Sequence, residues 1–275
     1  MKILLTNDDG IEAPGLWAAA RALRLVGEVF VVAPDREQSG VGASLTLHSP
    51  VQVNPVPLDP SLNGDGPAPN PVTAYSVEGT PGDSCILGLE RVVGGVDLVV
   101  SGINAGSKLG WDVLVSGTVG AAIQGYVRGH PTIAISVGAV TNPRFEVAAK
   151  LLHLIGRQLS ERSAPSSFFL NINVPSLPLE RISGVRLTAL GRRSYGESVS
   201  EEGTGPERRY WISRNRPAAG VPKEGTDIWA LKNNLVSITP LDINLNYQGP
   251  TTELESLLAG IHSQLLVTAI EAAGS

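Results

Sequence analysis

The chain has 275 residues, 42% hydrophobic and 17% charged, with a formal net charge of −5 at pH 7. That composition supplies the core of one large α/β domain, or one domain with an appendage, and excludes a disordered chain. The acidic balance excludes a dense Lys/Arg surface for long nucleic acid, and the single cysteine, Cys85, excludes an internal disulfide and a Cys-based zinc site.

In chain order, Lys2 to Thr6 reads as a short buried strand, stopped by Asn7-Asp8-Asp9-Gly10. Pro14 to Val26 is helical in pattern, with Leu16, Ala19, Ala20 and Leu23 on one side. Glu28 to Ala33 is a second strand closed by Pro34-Asp35, which completes a βαβ unit. Ser39 to Leu47 begins as a loop, and the Pro/Gly/Asn-rich stretch 55–71 reads as an exposed connection. Gly79-Thr80-Pro81-Gly82-Asp83 turns into a helix running to about Val93, with Pro81 suited to a first helical turn.

Val96 to Val100 is a third strand, ending at Ser101-Gly102-Ile103-Asn104. A helix over Thr118 to Arg128 follows Ser116-Gly117, and Thr132 to Val137 is a fourth strand. Arg144 to Glu161 is a long helix, and Ser167 to Val174 a fifth strand. Apolar strands separated by helices predict an α/β fold with a mostly parallel sheet covered on both faces. After about residue 180 the rhythm changes. Val185 to Leu190 and Arg208 to Ser213 read as strands around a Gly/Glu-rich loop, 196–206, followed by a short strand, Leu235 to Thr239, and an amphipathic helix, Thr251 to Ala273. The expected division is a core, 1–180, and a C-terminal extension, 181–275.

No apolar run approaches the roughly 18 residues needed to span a bilayer, so no membrane partner is expected. Met1-Lys2 leads straight into a strand rather than an apolar leader, and one cysteine suits a reducing compartment. The expected location is cytoplasmic.

Chemistry is expected at strand ends. Adjacent residues in a strand point to opposite faces, so Asp8 and Asp9 converge on one ion only where the backbone turns, as Gly10 permits. In an open parallel sheet, ligands sit beyond such ends. The alternative is a turn in which Asp caps the next helix. Ser39-Gly40 follows strand two, and Asn104 ends strand three. Together these strand ends offer carboxylates, a hydroxyl and an amide carbonyl, hard donors that suit Mg²⁺ or Mn²⁺ better than zinc. His48, His130, His153 and His262 all lie outside these motifs, which argues further against a zinc hydrolase. Ser116-Gly117-Thr118-Val119-Gly120 opens a helix with small residues, which suits either an anion on its N–H groups or close helix packing under a Ser N-cap. No Walker lysine follows the glycines, so this is not an NTP-hydrolysing loop.

These motifs resemble the SurE survival proteins, metal-dependent nucleoside monophosphate phosphatases. The resemblance rests on Leu5-Thr6-Asn7-Asp8-Asp9-Gly10, Ala33-Pro34-Asp35-Arg36-Glu37-Gln38-Ser39-Gly40 and Leu45-Thr46-Leu47. It continues through Gly79-Thr80-Pro81-Gly82-Asp83, Ser101 to Gly106, Ser116 to Ala122, Asn171-Ile172-Asn173-Val174-Pro175, Gly225-Thr226-Asp227 and Ser237 to Leu241. It implies a Rossmann-like sheet with a C-terminal hairpin and terminal helix. It implies one divalent metal ion per subunit, Mg²⁺ or Mn²⁺, on Asp8, Asp9, Ser39 and Asn104. Asp8 and Asp9 are the implied catalytic pair, and Asn7, Gly40, Asn104, Ser116, Gly117 and Thr118 the implied substrate-binding set. The implied activity removes phosphate from 5′- or 3′-nucleotides by in-line attack of water, in a homodimer or homotetramer that can exchange its C-terminal helix. Alternatives are an exopolyphosphatase using the same site, a non-catalytic nucleotide-binding module and a structural oligomerisation protein. Two departures stand out: the long Pro-rich stretch 55–71, and Lys232-Asn233-Asn234-Leu235, where the family tends to have a Gly-aromatic pair.

Overall fold

The computed structural model describes residues 1–58, 70–161, 167–192, 195–217 and 221–246, with positions 252, 255, 258 and 261. It contains two units, Met1–Asp242 and Ile243–Ser275. In the second unit the four isolated positions are helical and exposed; the rest of the expected helix 251–273 lies outside the described residues.

The first unit is built on β1 (Lys2–Thr6), α1 (Pro14–Leu23), β2 (Glu28–Pro34), β3 (Val53–Pro55), β4 (Val72–Val77), α2 (Pro81–Leu87) and β5 (Leu98–Ala105). It continues with α3 (Gly117–Tyr126), β6 (Thr132–Val137), α4 (Glu146–Glu161), β7 (Phe169–Val174) and β8 (Gly184–Leu187). β9 (Tyr195–Glu202), β10 (Arg209–Pro217), α5 (Asp227–Lys232) and β11 (Leu235–Pro240) complete it. A nine-stranded sheet runs in the order β3-β4-β2-β1-β5-β6-β7-β11-β8. β4, β2, β1, β5, β6 and β7 are parallel, while β3 and β11 pair antiparallel with β4 and β7. Ile3, Leu4 and Leu5 are fully buried, so both faces of β1 are covered, and their alternation feeds two cores. Ile3 and Leu5 meet Leu16, Ala19, Ala20 and Leu23 of α1, while Leu4 packs with Val32, Cys85 and Val99. Each such Leu or Ile contributes about 1.5–3 kcal/mol on burial. From β1 the chain runs outward through β2 and β4, then returns to lay β5 on the other side. The strand order therefore reverses between β1 and β5, and a crevice at the carboxyl ends of these strands follows.

The structure departs from the sequence reading in several places. β4 lies in the main sheet, although its mixed sequence, Val72-Thr73-Ala74-Tyr75-Ser76-Val77, gives no expected strand. β5 continues through the Ser101–Asn104 motif instead of ending before it. Most of the expected loop 196–206 is strand β9, whose partner is β10; polar Glu and Ser residues form a ladder there because the described face of the ribbon is exposed. β8 and β11 continue the main sheet, so the change of rhythm near residue 180 does not coincide with the division after Asp242. Residues 59–69 of the Pro-rich stretch lie outside the described residues. Among the described residues, no helix is long and apolar enough to cross a membrane.

Asp83 fastens the loop after β2 to α2. Its carboxylate accepts from the Thr80 N–H (2.9 Å), the Thr46 N–H (3.0 Å) and the Thr46 hydroxyl (2.6 Å), while the Thr80 hydroxyl accepts from the Asp83 N–H to complete a capping box. Burial raises the Asp83 carboxyl, but the bonds from Thr46 and Thr80 outweigh it and hold its pKa below the ordinary value. The stabilisation is therefore complete above the unfolded carboxylate pKa and is lost as pH falls through the folded one. Asp83→Ala should lower the unfolding free energy by about 2 kcal/mol at neutral pH. In urea melts the gap from wild type should narrow below about pH 4.

Candidate functional site

β1 ends at Thr6, and the turn that follows aims Asp8 and Asp9 at different neighbours. The Asn7 side-chain amide donates to the Gly10 carbonyl (2.9 Å) and closes the turn. Asp8 is 1% exposed and Asp9 is half-buried. Asp8 Oδ1 accepts from the Thr118 hydroxyl at 2.5 Å, and Asp9 Oδ2 accepts from the Ala105 N–H at 3.0 Å. The Gln38 N–H donates to the Asp8 carbonyl at 2.7 Å. The β1 turn, the loop after β2, the end of β5 and the start of α3 thus meet at the reversal of strand order.

Asn104 owes its position to an irregularity in β5. Ser101 is level with Ala134 of β6 but Asn104 with Ser136, so β5 carries one extra residue between them. A one-residue slip exchanges the two faces of a strand. Gly102 occupies the slip at φ +132°, where a Cβ would lie 2.2 Å from the Ile135 carbonyl, so only glycine fits. Asn104 is fully buried, and its amide N–H donates to the Gly106 carbonyl at 2.6 Å.

Asp8 Oδ2, Asn104 Oδ1 and Asn7 Oδ1 are buried without a hydrogen-bond partner among the described residues, as are the hydroxyls of Thr6, Ser101 and Ser136 at the neighbouring strand ends. Leaving such groups unpaired costs about 1–3 kcal/mol each, and more for a charged one. Burial pushes Asp9 up to about pKa 6; the Ala105 N–H and the Lys108 charge pull it down, and the Asp8 and Glu37 charges push it up. Adjacent repelling carboxylates with an unpartnered amide oxygen fit a hard divalent cation. Among the described residues, no group of three or more His, Cys, Asp or Glu could hold a metal, so a cation here would have to draw on neutral oxygens as well as the acid pair.

The start of α3 forms the opposite wall. The Ser116 hydroxyl accepts from the Val119 N–H at 3.1 Å as an N-cap. A Cβ on Gly117 would stand 2.7 Å from Asp8 Cβ and 3.0 Å from its Oδ2, so the absence of a side chain lets α3 seat on Asp8. Among the described residues, nothing accepts from the Gly117 or Thr118 N–H. These are open donors at a helix N-terminus, where anions bind. The Thr118 hydroxyl was expected as a further donor to substrate, but it is engaged by Asp8. Ser39 is exposed and its hydroxyl donates to Glu37 Oε1 at 2.8 Å, so its loop reaches Asp8 through Gln38 instead. Gly40, at φ +79°, is exposed beside it.

Two supports received no role from the sequence, although Asn171, Asn173 and Asp227 stand in motifs that carry the resemblance. Lys108 follows Asn104 on a loop held by Asn171 and Asn173 of β7. The only local signal is polar residues at alternate positions of an otherwise apolar strand. Asp227, fully buried, accepts from the N–H groups of Gly110 (2.7 Å), Gly191 (2.8 Å) and Ile228 (2.8 Å), which ties the same loop to α5.

A family model described as Survival protein SurE matches residues 3–197. The chain is 43% identical over 265 residues to the 5′-nucleotidase SurE of Dehalococcoides mccartyi, covering 95% of this chain and 96% of that one. It is 41% identical to 5′-nucleotidase SurE 1 of Thermus thermophilus, covering 95% of this chain and 99% of the relative. The crystal structure of the SurE protein from Aquifex aeolicus superposes with a TM-score of 0.77 at 37% identity, over 94% of this chain and 99% of the other.

Gly117→Ala forces its methyl group into Asp8. The variant should lose about 1–3 kcal/mol of stability, read as a lower urea midpoint with an unchanged slope.

Proposed function

The chain belongs to the SurE survival protein family, and from that premise we propose that it is a nucleotidase that removes phosphate from nucleoside monophosphates at the Asp8-Asp9 turn with one Mg²⁺ or Mn²⁺ per subunit. The observation that carries this reading is the pair of buried unpartnered oxygens, Asp8 Oδ2 and Asn104 Oδ1, beside open N–H groups of a helix N-terminus.

Asp8, Asp9 and Asn104 would hold the metal, and Ser39 joins them once its hydroxyl turns from Glu37. A bound divalent cation supplies charge that offsets what develops on the phosphoryl group. The Gly117 and Thr118 N–H groups take phosphoryl oxygens, with Asn7 and Gly40 on the turns that follow β1 and β2, and the Ser116 hydroxyl proton is free to join them. The Thr118 hydroxyl fixes the Asp8 carboxylate, leaving Oδ2 for the site. Asp9, the more exposed acid, orients the attacking water and accepts its proton. The β9–β10 hairpin exposes Tyr210, Trp211 and Ile212, a surface suited to pairing subunits in a dimer or tetramer.

Purified protein should release phosphate from nucleoside monophosphates with Mg²⁺ or Mn²⁺, stop with EDTA and recover on metal addition. Asp9→Asn should remove at least about 100-fold of kcat while remaining folded. Near wild-type turnover in that variant, together with activity after EDTA, would sink the reading. Thr118→Val keeps the shape and removes the hydroxyl; it should weaken Mn²⁺ binding or turnover about 10–100-fold. Equal metal affinity and turnover in Thr118→Val would mean that the contact only packs α3.

A further inference from the structure

A phosphate monoester dianion entering between Asp8 and Asp9 brings the site to four negative charges, of which one divalent cation offsets two. The N-terminus of α3 adds roughly half a positive charge. Further positive charge near the phosphoryl position is therefore required for tight binding. Arg36 is an unsuitable source: its side chain is 71% exposed and lies 3.6 Å from Asp35. Lys108 is half-buried on the loop leaving β5.

The ammonium of Lys108 donates to the Gly106 carbonyl at 3.2 Å, the same oxygen that receives the Asn104 amide at 2.6 Å. The cation and the Asn104 side chain thus share one acceptor. Among the described residues no carboxylate forms an ion pair with Lys108. Its charge acts on Asp9, against the effect of burial there. The Lys108 backbone is held at both ends: its N–H donates to Asn173 Oδ1 (2.7 Å), and its carbonyl accepts from the Asn171 (2.8 Å) and Asn173 (3.0 Å) side-chain amides. The Gly110 N–H, on Asp227, pins the loop two residues on. The root of the side chain is fixed while the ammonium rests on a long bond to a neutral oxygen. Such a bond yields readily to an anionic acceptor, whose full charge attracts the ammonium more strongly than a carbonyl dipole does.

We infer that Lys108 is a substrate-binding residue whose ammonium leaves the Gly106 carbonyl to contact the phosphoryl group across from the α3 N-terminus. This rests on the nucleotidase reading of the same site. The ligand it selects is a phosphoryl group in its dianionic form.

Lys108→Met keeps the length of the stem and removes the charge. Its KM for a nucleoside monophosphate, and its inhibition constant for inorganic phosphate, should rise at least about tenfold, with a smaller change in kcat. Lys108→Arg should recover part of that loss, and Lys108→Gln supplies a second neutral variant that must behave like Lys108→Met. Mn²⁺ affinity without substrate should be unchanged or tighter, because no ligand has been lost and a neighbouring positive charge has. The wild-type KM should also rise more steeply with salt than that of Lys108→Met. KM and phosphate inhibition within about twofold of wild type in both neutral variants would overturn the inference and leave the nucleotidase reading intact. If the wild type hydrolyses no nucleotide, that reading fails instead. Calorimetric binding of inorganic phosphate to Mn²⁺-loaded wild type and Lys108→Met then decides the role of Lys108: equal affinity overturns it, and a tenfold or greater loss supports it.

Discussion

The hydrogen bond from the Thr118 hydroxyl to Asp8 joins residues 110 positions apart, and the site depends on it. Asp8 is 1% exposed, so its carboxylate has surrendered its hydration and needs compensation from the protein. A bond to a charged acceptor contributes about 1.5–3 kcal/mol, and it also selects which oxygen is left over. With Oδ1 taken, Oδ2 stays unpartnered beside the end of α3. The contact forms only because Gly117 allows the helix to approach the aspartate. One residue without a side chain therefore brings the positive end of a helix dipole against a buried acid.

The opposite wall depends on a defect in regular structure. A strand that kept its register through Ser101–Asn104 would turn the Asn104 side chain to the other face of the sheet. The extra residue at Gly102-Ile103 prevents that, and the Gly106 carbonyl then orients the amide so that its oxygen is the free atom. Asp9 is tethered to the same strand through the Ala105 N–H. Metal ligation and phosphate capture, as proposed, fall on two walls built by different means: a helix terminus on one side, an irregular strand end on the other. Asn171, Asn173 and Asp227 then brace the loop beyond that strand, whose Lys108 ammonium shares the Gly106 carbonyl with Asn104.

Much of this was legible in the sequence. The apolar runs of β1, β2, β5 and β6 were readable because strands buried on both faces leave no polar alternation. The family resemblance and the mostly parallel sheet are borne out by the matches and by the strand order. The clustering of strand-end motifs followed from topology, since parallel strands deliver their carboxyl ends to one edge. Less legible were β4, whose six residues mix Thr, Tyr and Ser with Val and Ala, and β9, whose Glu and Ser residues mimic a loop because the described face of that ribbon meets solvent.

The sequence by itself determined the successions β1-α1-β2 and β5-α3-β6-α4-β7, the acid pair at the first turn, the oxygen side chains at the strand ends and the helix that opens on small residues. Each of these is written in a local window of composition or spacing. Only the tertiary structure decided that the Thr118 hydroxyl serves Asp8, that the Ser39 hydroxyl faces Glu37, that Asn104 is turned inward by a slipped register and that Lys108 stands beside Asn104. Two of these four link residues separated by tens of positions, and the two local ones depend on how distant segments pack. Side-chain hydrogen bonds have no periodicity along the chain, so no pattern in the sequence announces them.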